Sequence, residues 1–127
     1  MLVFAWLGER VLVCDIEGRG WTVPSGRVEP GETPLAAAER ELAEEGAARL
    51  ESWTRIGCYR IGTGRAARWA ECFAGRVTEM GQPAPGGESR AGRLVALDDL
   101  PSMYSLWNPL TEQVFRHSRA SLPDRLA

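Results

Sequence analysis

Apolar positions fall into short runs broken by glycine and charge, and twice give way to a cap-then-proline signal. Leu2–Trp6 and Val11–Ile16, separated by Leu7-Gly8-Glu9-Arg10, predict a hairpin or bent strand pair. Glu17-Gly18-Arg19-Gly20 is turn material, and Trp21-Thr22-Val23 is a short β-favouring stretch stopped by Pro24. Ser25 to Glu32 reads as loop. Thr33 then caps a helix with Pro34 at its first position, running to about Glu45 and stopped by Gly46. Its stripe of Leu35, Ala38 and Leu42 is expected to pack on a sheet. Leu50–Ile61 and Arg68–Val77 predict two strands around Gly62-Thr63-Gly64. Gly81–Arg93 reads as irregular, and Leu94–Leu97 as a last buried strand. Asn108-Pro109 opens a second helix to about Ser118, with Leu110, Val114 and either Phe115 or His117 inward; residues beyond Ala120 are expected to fray. This order predicts an α/β or α+β sandwich.

Composition narrows the chemistry. The 127 residues suit one domain of ordinary globular make-up, 44% hydrophobic and 25% charged. The net charge of −2 implies no general affinity for polyanions, so any phosphate handling needs a metal ion or a local basic patch. Cys14, Cys58 and Cys72 are odd in number and far apart, and His117 is the one histidine, so a zinc site has little support. Buried, reduced thiols and a cytoplasmic location are the expectation. The segment MLVFAWLGER lacks a basic start and reads as a strand, not a leader. No apolar stretch approaches the ~18 residues of a membrane span.

The informative segment is GRVEPGETPLAAAERELAEEGAA, Gly26 to Ala48. Glu41, Glu44 and Glu45 stand at i, i+3 and i+4, sharing an arc of about 100° on an α-helix. Like charges at this spacing repel, and at a helix C-terminus they also oppose the macrodipole. A solvated charged face is the plain alternative. A hard divalent cation would relieve the repulsion, since Mg²⁺ takes carboxylate, water and phosphate oxygens. Arg40, four residues before Glu44, can hold an acid in one rotamer.

The same residues closely resemble the Nudix box, G-x5-E-x7-R-E-U-x-E-E-x-G-U, where U is a bulky aliphatic. Gly26, Glu32, Arg40-Glu41-Leu42 and the Glu44-Glu45 pair fall in place. Ala47 stands where the box has Gly, with Gly46 before it, and Ala48 is small for U; Gly46 is expected to cap the helix one residue early. Trp21-Thr22-Val23-Pro24-Ser25-Gly26 is similar to the family's lead-in, with Ser25 for a Gly, and LVALDDLP (Leu94–Pro101) to the segment before its last helix. The resemblance implies a MutT-like α/β/α sandwich with a mixed central sheet, one domain over residues 1–127.

It also implies an activity: Mg²⁺-dependent hydrolysis (Mn²⁺ as the alternative) of nucleoside diphosphate-linked compounds, by water attack at phosphorus. Glu41, Glu44 and Glu45 are the implied metal ligands, joined by the backbone carbonyl at Ser25. Arg40 orients the acids, and Glu32 braces the loop through Arg40. The family often uses a fourth acid from a loop; Glu88 is the first candidate, then Glu71 and Glu79. Trp69 and Arg68 are candidate substrate-binding residues; Trp6, Trp107 and Arg65 are weaker ones. The Pro usual in ADP-ribose hydrolases is replaced by Thr63-Gly64, and the Tyr usual in dinucleoside polyphosphate hydrolases is missing. The default is a nucleoside triphosphate pyrophosphohydrolase for oxidised or unmodified nucleotides. The alternatives are an ADP-ribose, dinucleoside polyphosphate or sugar-nucleotide hydrolase, or a non-catalytic nucleotide-binding module. The expected partner is a small nucleotide-derived molecule, not a nucleic-acid polymer or a membrane, with the protein a monomer or homodimer.

Overall fold

A computed structural model describes residues 1–123. Its strands are β1 (Leu2–Leu7), β2 (Arg10–Ile16), β3 (Gly20–Thr22), β4 (Ala48–Ile61), β5 (Arg68–Met80) and β6 (Ser89–Ala96). Helix α1 (Pro34–Glu41) runs into a π-helical turn, Leu42–Gly46, and α2 is Pro109–Ala120. The sheet order is β3-β2-β1-β5-β4, with β6 also paired to β2. β1 and β5 are parallel while the other pairs are antiparallel, so the sheet is mixed.

Strand pleating assigns the two cores. On β1, Val3 and Ala5 face one side, Phe4 and Trp6 the other; on β2, Leu12, Cys14 and Ile16 oppose Val11 and Val13. With both faces covered, these strands read as unbroken apolar runs. Ala38 and Leu42 pack with Val3, Leu12 and Phe73 on one face, while Phe115 and Leu122 pack with Phe4, Trp6 and Val11 on the other. The result is the expected α/β/α sandwich.

Several sequence expectations are corrected. Leu35, in the first turn of α1, is 38% exposed and Ala37 is buried in its stead. Leu110 is likewise outward at 53% exposure; the inner face of α2 is Thr111, Phe115 and Ser118. β6 begins at Ser89, not Leu94, because Ser89 to Gly92 pair with the end of β2. Leu122 is buried and the Pro123 carbonyl accepts from Arg76 Nη2, so the chain is packed past Ala120; residues 124–127 lie outside the described part. Cys58 is exposed on β4, whereas Cys14 and Cys72 are buried thiols, pushed by burial up to about 12 and about 11.

The end of α1 differs most. Ala47, not Gly46, takes the left-handed conformation (φ 51°), at the position where the box has glycine. Gly46 is constrained by space: a Cβ there would lie 2.7 Å from Leu12 Cδ2. The π-helical turn lets the chain gain one residue before it reverses into β4.

Candidate active site

The loop between β3 and α1 forms one wall of the site. Val3 N–H donates to the Pro24 carbonyl (2.9 Å) and Gly26 N–H to the Met1 carbonyl (3.2 Å), with Ser25 opposite Leu2 in an isolated antiparallel bridge. Ser25 therefore turns its own N–H away from β1, where it donates to Glu45 Oε1 at 2.8 Å. In extended backbone the carbonyl of a residue leaves on the same edge as its N–H. The Ser25 carbonyl thus faces the glutamate helix. Gly26 is glycine because Glu41 lies against it: a Cβ would sit 2.4 Å from the Glu41 carboxylate carbon.

Arg40 organises the acids. Its Nε and Nη2 donate to both oxygens of Glu32 (2.8 and 3.0 Å), its Nη1 to Glu41 Oε1 (2.7 Å), and its Nη2 also to the Arg27 carbonyl (3.1 Å). Glu44 lies 3.6 Å from Nη1. This two-pronged pairing holds the Glu32 carboxyl down at about 2, chiefly through the Arg40 hydrogen bonds. The loop from Arg27 to Glu32 is thereby clamped to α1.

The three glutamates, Glu41 at the end of α1 and Glu44 and Glu45 in the π-helical turn, lie in unlike surroundings. The Glu44 side chain is 61% exposed, that of Glu41 is 15% exposed against Gly26 and Arg40, and Glu45 is only 6% exposed. Burial pushes the Glu45 carboxyl up to about 7, with the charges of Glu41 and Glu88 adding to the rise against the Ser25 N–H and Arg19. Among the described residues, no cation lies within ion-pair distance of Glu45. Its Oε2 takes no hydrogen bond, yet no polar side-chain atom is sealed away unpartnered, so that oxygen faces an opening. A desolvated carboxylate with a free oxygen, beside a second acid and a peptide carbonyl, fits a hard divalent cation. Among the described residues, no three acidic, imidazole or thiol side chains come together as a group able to hold a metal ion. Mg²⁺ does not require three such side chains, since water and phosphate complete its octahedron.

A cleft of about 720 Å³ adjoins this corner, lined by Ser25, Gly26, Arg27 and Val28 on one wall and by Arg68, Trp69 and Glu71 on the other. Glu41 and Glu45 do not line it; they meet it across Ser25 and Gly26. A second, more apolar cavity of about 290 Å³ continues past Leu2, Arg19, Ser25 and Arg68 to Tyr59, Tyr104 and Phe115.

The candidates sort accordingly. Trp69 is 71% exposed beside Arg68 in the cleft. Trp6 is no platform: it is buried, and its Nε1 donates to Ser118 Oγ at 2.9 Å. Trp107 packs on Tyr104 and Phe115. Glu88 precedes Ser89, whose hydroxyl donates to the Glu45 carbonyl at 2.6 Å, and its own side chain is exposed and 3.6 Å from Arg19. Glu71 lines the cleft but pairs with Arg55 at 3.3 Å, and Glu79 pairs with Arg49 on the far part of β4 and β5. His117 Nε2 meets the Ile56 carbonyl at 3.2 Å, on the surface. Arg19 had no signal in the sequence beyond its turn, yet it lines both cavities.

A protein of Bacillus subtilis provisionally named the 8-oxo-dGTP diphosphatase YtkD is 39% identical over 59 residues, 46% of this chain and 37% of that protein. An RNA pyrophosphohydrolase of Mesorhizobium japonicum is 48% identical over 44 residues, 32% of this chain and 25% of the relative. The chain therefore spans well under half the length of either relative. Among solved structures, the Bacillus subtilis pyrophosphohydrolase BsRppH superposes with a TM-score of 0.65 at 27% identity, covering 73% of this chain and 59% of that one. The NUDIX domain of Shewanella oneidensis NrtR, complexed with ADP ribose, reaches 0.74 at 16% identity, over 96% of this chain and 84% of that one. The NUDIX domain model matches residues 3–117. Because that match runs from β1 into the last turn of α2, the chain belongs to the NUDIX domain family.

Proposed function

We propose that this chain hydrolyses the phosphoanhydride of a nucleoside triphosphate, oxidised or unmodified, to a monophosphate and pyrophosphate. Mg²⁺, or Mn²⁺ in its place, would be held by Glu41, Glu44, Glu45 and the Ser25 carbonyl. The observation that carries this reading is Glu45: a buried carboxylate with no cationic partner among the described residues, one oxygen fixed by Ser25 N–H and the other open. Bound there, the cation would neutralise phosphate charge and lower the pKa of a water.

The chain's own residues do the rest. Arg40 fixes Glu41 in one rotamer and locks the loop that carries Ser25 and Gly26. Glu88, exposed and next in sequence to the Ser89 that meets the Glu45 carbonyl, would take the proton of the attacking water. The water oxygen bonds to phosphorus, the bridging P–O bond breaks, and pyrophosphate leaves. A base stacked on Trp69 would leave its phosphates running over Arg68 towards Ser25, since all three line one cleft. The names of the two curated relatives, a diphosphatase of 8-oxo-dGTP and an RNA pyrophosphohydrolase, support a 5′-triphosphate substrate. We place the enzyme in the cytoplasm, as a monomer or homodimer acting on small nucleotides; its three free thiols support a reducing compartment.

The test is a panel of deoxynucleoside triphosphates, 8-oxo-dGTP, ADP-ribose, dinucleoside polyphosphates and sugar nucleotides, assayed with and without Mg²⁺. Pyrophosphate should appear from the triphosphates only with the cation. Glu45→Gln should lower the rate by about a hundredfold or more, given that even a metal's outer-sphere partners are worth 10–100-fold. Nucleotide binding without turnover would instead identify a non-catalytic module.

A further inference from the structure

Arg19 stands outside every motif of the sequence, on the turn between β2 and β3. Gly18 and Gly20 flank it at φ 79° and 78°, left-handed values that glycine adopts without strain. Arg19 N–H closes the turn on the Ile16 carbonyl (2.9 Å), and Glu17 N–H donates to the Glu88 carbonyl (2.8 Å). The turn and the start of β6 are thus laced together by backbone, and the side chains of Arg19 and Glu88 leave from fixed neighbouring points. Arg19 Nη1 meets Ser25 Oγ at 3.4 Å, and Nη2 lies 3.6 Å from Glu88 Oε2. Both groups are wet, at 50% and 77% exposure, so the pair is loose and readily exchanged.

We propose that Arg19 binds the substrate's phosphate chain, and that Glu88 holds it in reserve until a polyphosphate displaces the pair; this rests on the nucleotide-hydrolase reading above. Ser25 links the two groups, donating its N–H to Glu45 and accepting from Arg19 at its hydroxyl. A guanidinium so close to a corner that takes a divalent cation is repelled by that cation unless an anion lies between them. A phosphate oxygen satisfies both charges, and the planar guanidinium offers it two parallel donors. Arg68 is the other cation lining both cavities, on the facing wall. With Arg27, which also lines the larger cleft, these two arginines supply local positive charge in a chain of net charge −2.

The test is calorimetric titration with a non-hydrolysable nucleoside triphosphate analogue, and with the matching monophosphate, in wild type, Arg19→Ala, Arg19→Lys and Glu88→Gln. Mn²⁺ uptake without nucleotide is measured on the same samples. Arg19→Ala should weaken the triphosphate analogue by about 10–100-fold, the range of a charge-assisted hydrogen-bonded pair. The monophosphate should weaken far less, Arg19→Lys should recover part of the loss, and Mn²⁺ uptake should match wild type. Glu88→Gln should bind the analogue several-fold more tightly in the absence of metal. Wild-type affinity for the triphosphate in Arg19→Ala, or equal loss of both ligands, overturns the phosphate role; no tightening in Glu88→Gln overturns the reserve. If wild type itself binds no triphosphate, the hydrolase reading falls as well; if only the Arg19 variants behave as wild type, that reading stands.

Discussion

Glu45→Gln separates a buried metal ligand from an ordinary acid. Burial raises the Glu45 carboxyl from 4.5 to about 7 in the folded chain. Between those values the folded protein keeps a proton on Glu45 that the unfolded chain has released. Stability without metal therefore falls as pH rises through that window and levels off above it. The shift corresponds to about 3 kcal/mol at about 1.4 kcal/mol per pH unit. For a chain of this size that is on the order of 10 °C in melting temperature. Gln keeps the acceptor for Ser25 N–H but carries no charge, so the variant should lack this pH dependence. Melting curves from pH 5 to 9, without divalent ions, should find the two proteins close at pH 5 and the variant higher at pH 8. Saturating Mg²⁺ should then raise wild type at pH 8, by mass action on the folded state, and leave the variant unmoved. Parallel curves at every pH, or equal Mg²⁺ shifts, would refute the claim that Glu45 is a desolvated carboxylate awaiting a cation.

Three further outcomes follow from the geometry. Gly26→Ala places a methyl 2.4 Å from the Glu41 carboxylate, so Glu41 must leave its pocket; turnover should fall by about a hundredfold in steady-state assays, in keeping with a misplacement of about 1 Å. Ala47→Gly relieves a left-handed alanine at φ 51° and should raise stability by about 1 kcal/mol in urea denaturation, with turnover unchanged. Trp69→Ala should raise KM rather than lower kcat, by the roughly 1–3 kcal/mol of one stacked base, and should leave the melting temperature near wild type because that ring is 71% exposed.

What was legible in the sequence was local. Thr33 and Asn108 each accept a backbone N–H three residues on, from Ala36 and Thr111, as cap chemistry dictates. The Glu32–Arg40 pair was readable because a box of fixed spacings names both partners. The parallel pairing of β1 with β5 was not, since it joins segments some seventy residues apart and leaves no local mark. Leu35 and Leu110 misled because periodicity gives a stripe but not how far an element overhangs its sheet. Positions i, i+3 and i+4 on an ideal helix put three glutamates on one face, whereas within the π-helical turn Glu45 is buried and Glu44 exposed. Arg19 needed tertiary structure, because only the closure of its turn onto Ser25 and Glu88 brings it to the cleft.

The central claim is that the acids at the end of α1, with the Ser25 carbonyl, hold a divalent cation on which hydrolysis depends. Electron paramagnetic resonance of Mn²⁺ titrated into the protein, with a non-hydrolysable triphosphate analogue present, tests it most directly. A bound Mn²⁺ signal is expected in wild type, lost in Glu45→Gln and sharply weakened in Glu41→Gln. Free Mn²⁺ at every protein concentration, or uptake that persists unchanged in both variants, would contradict it.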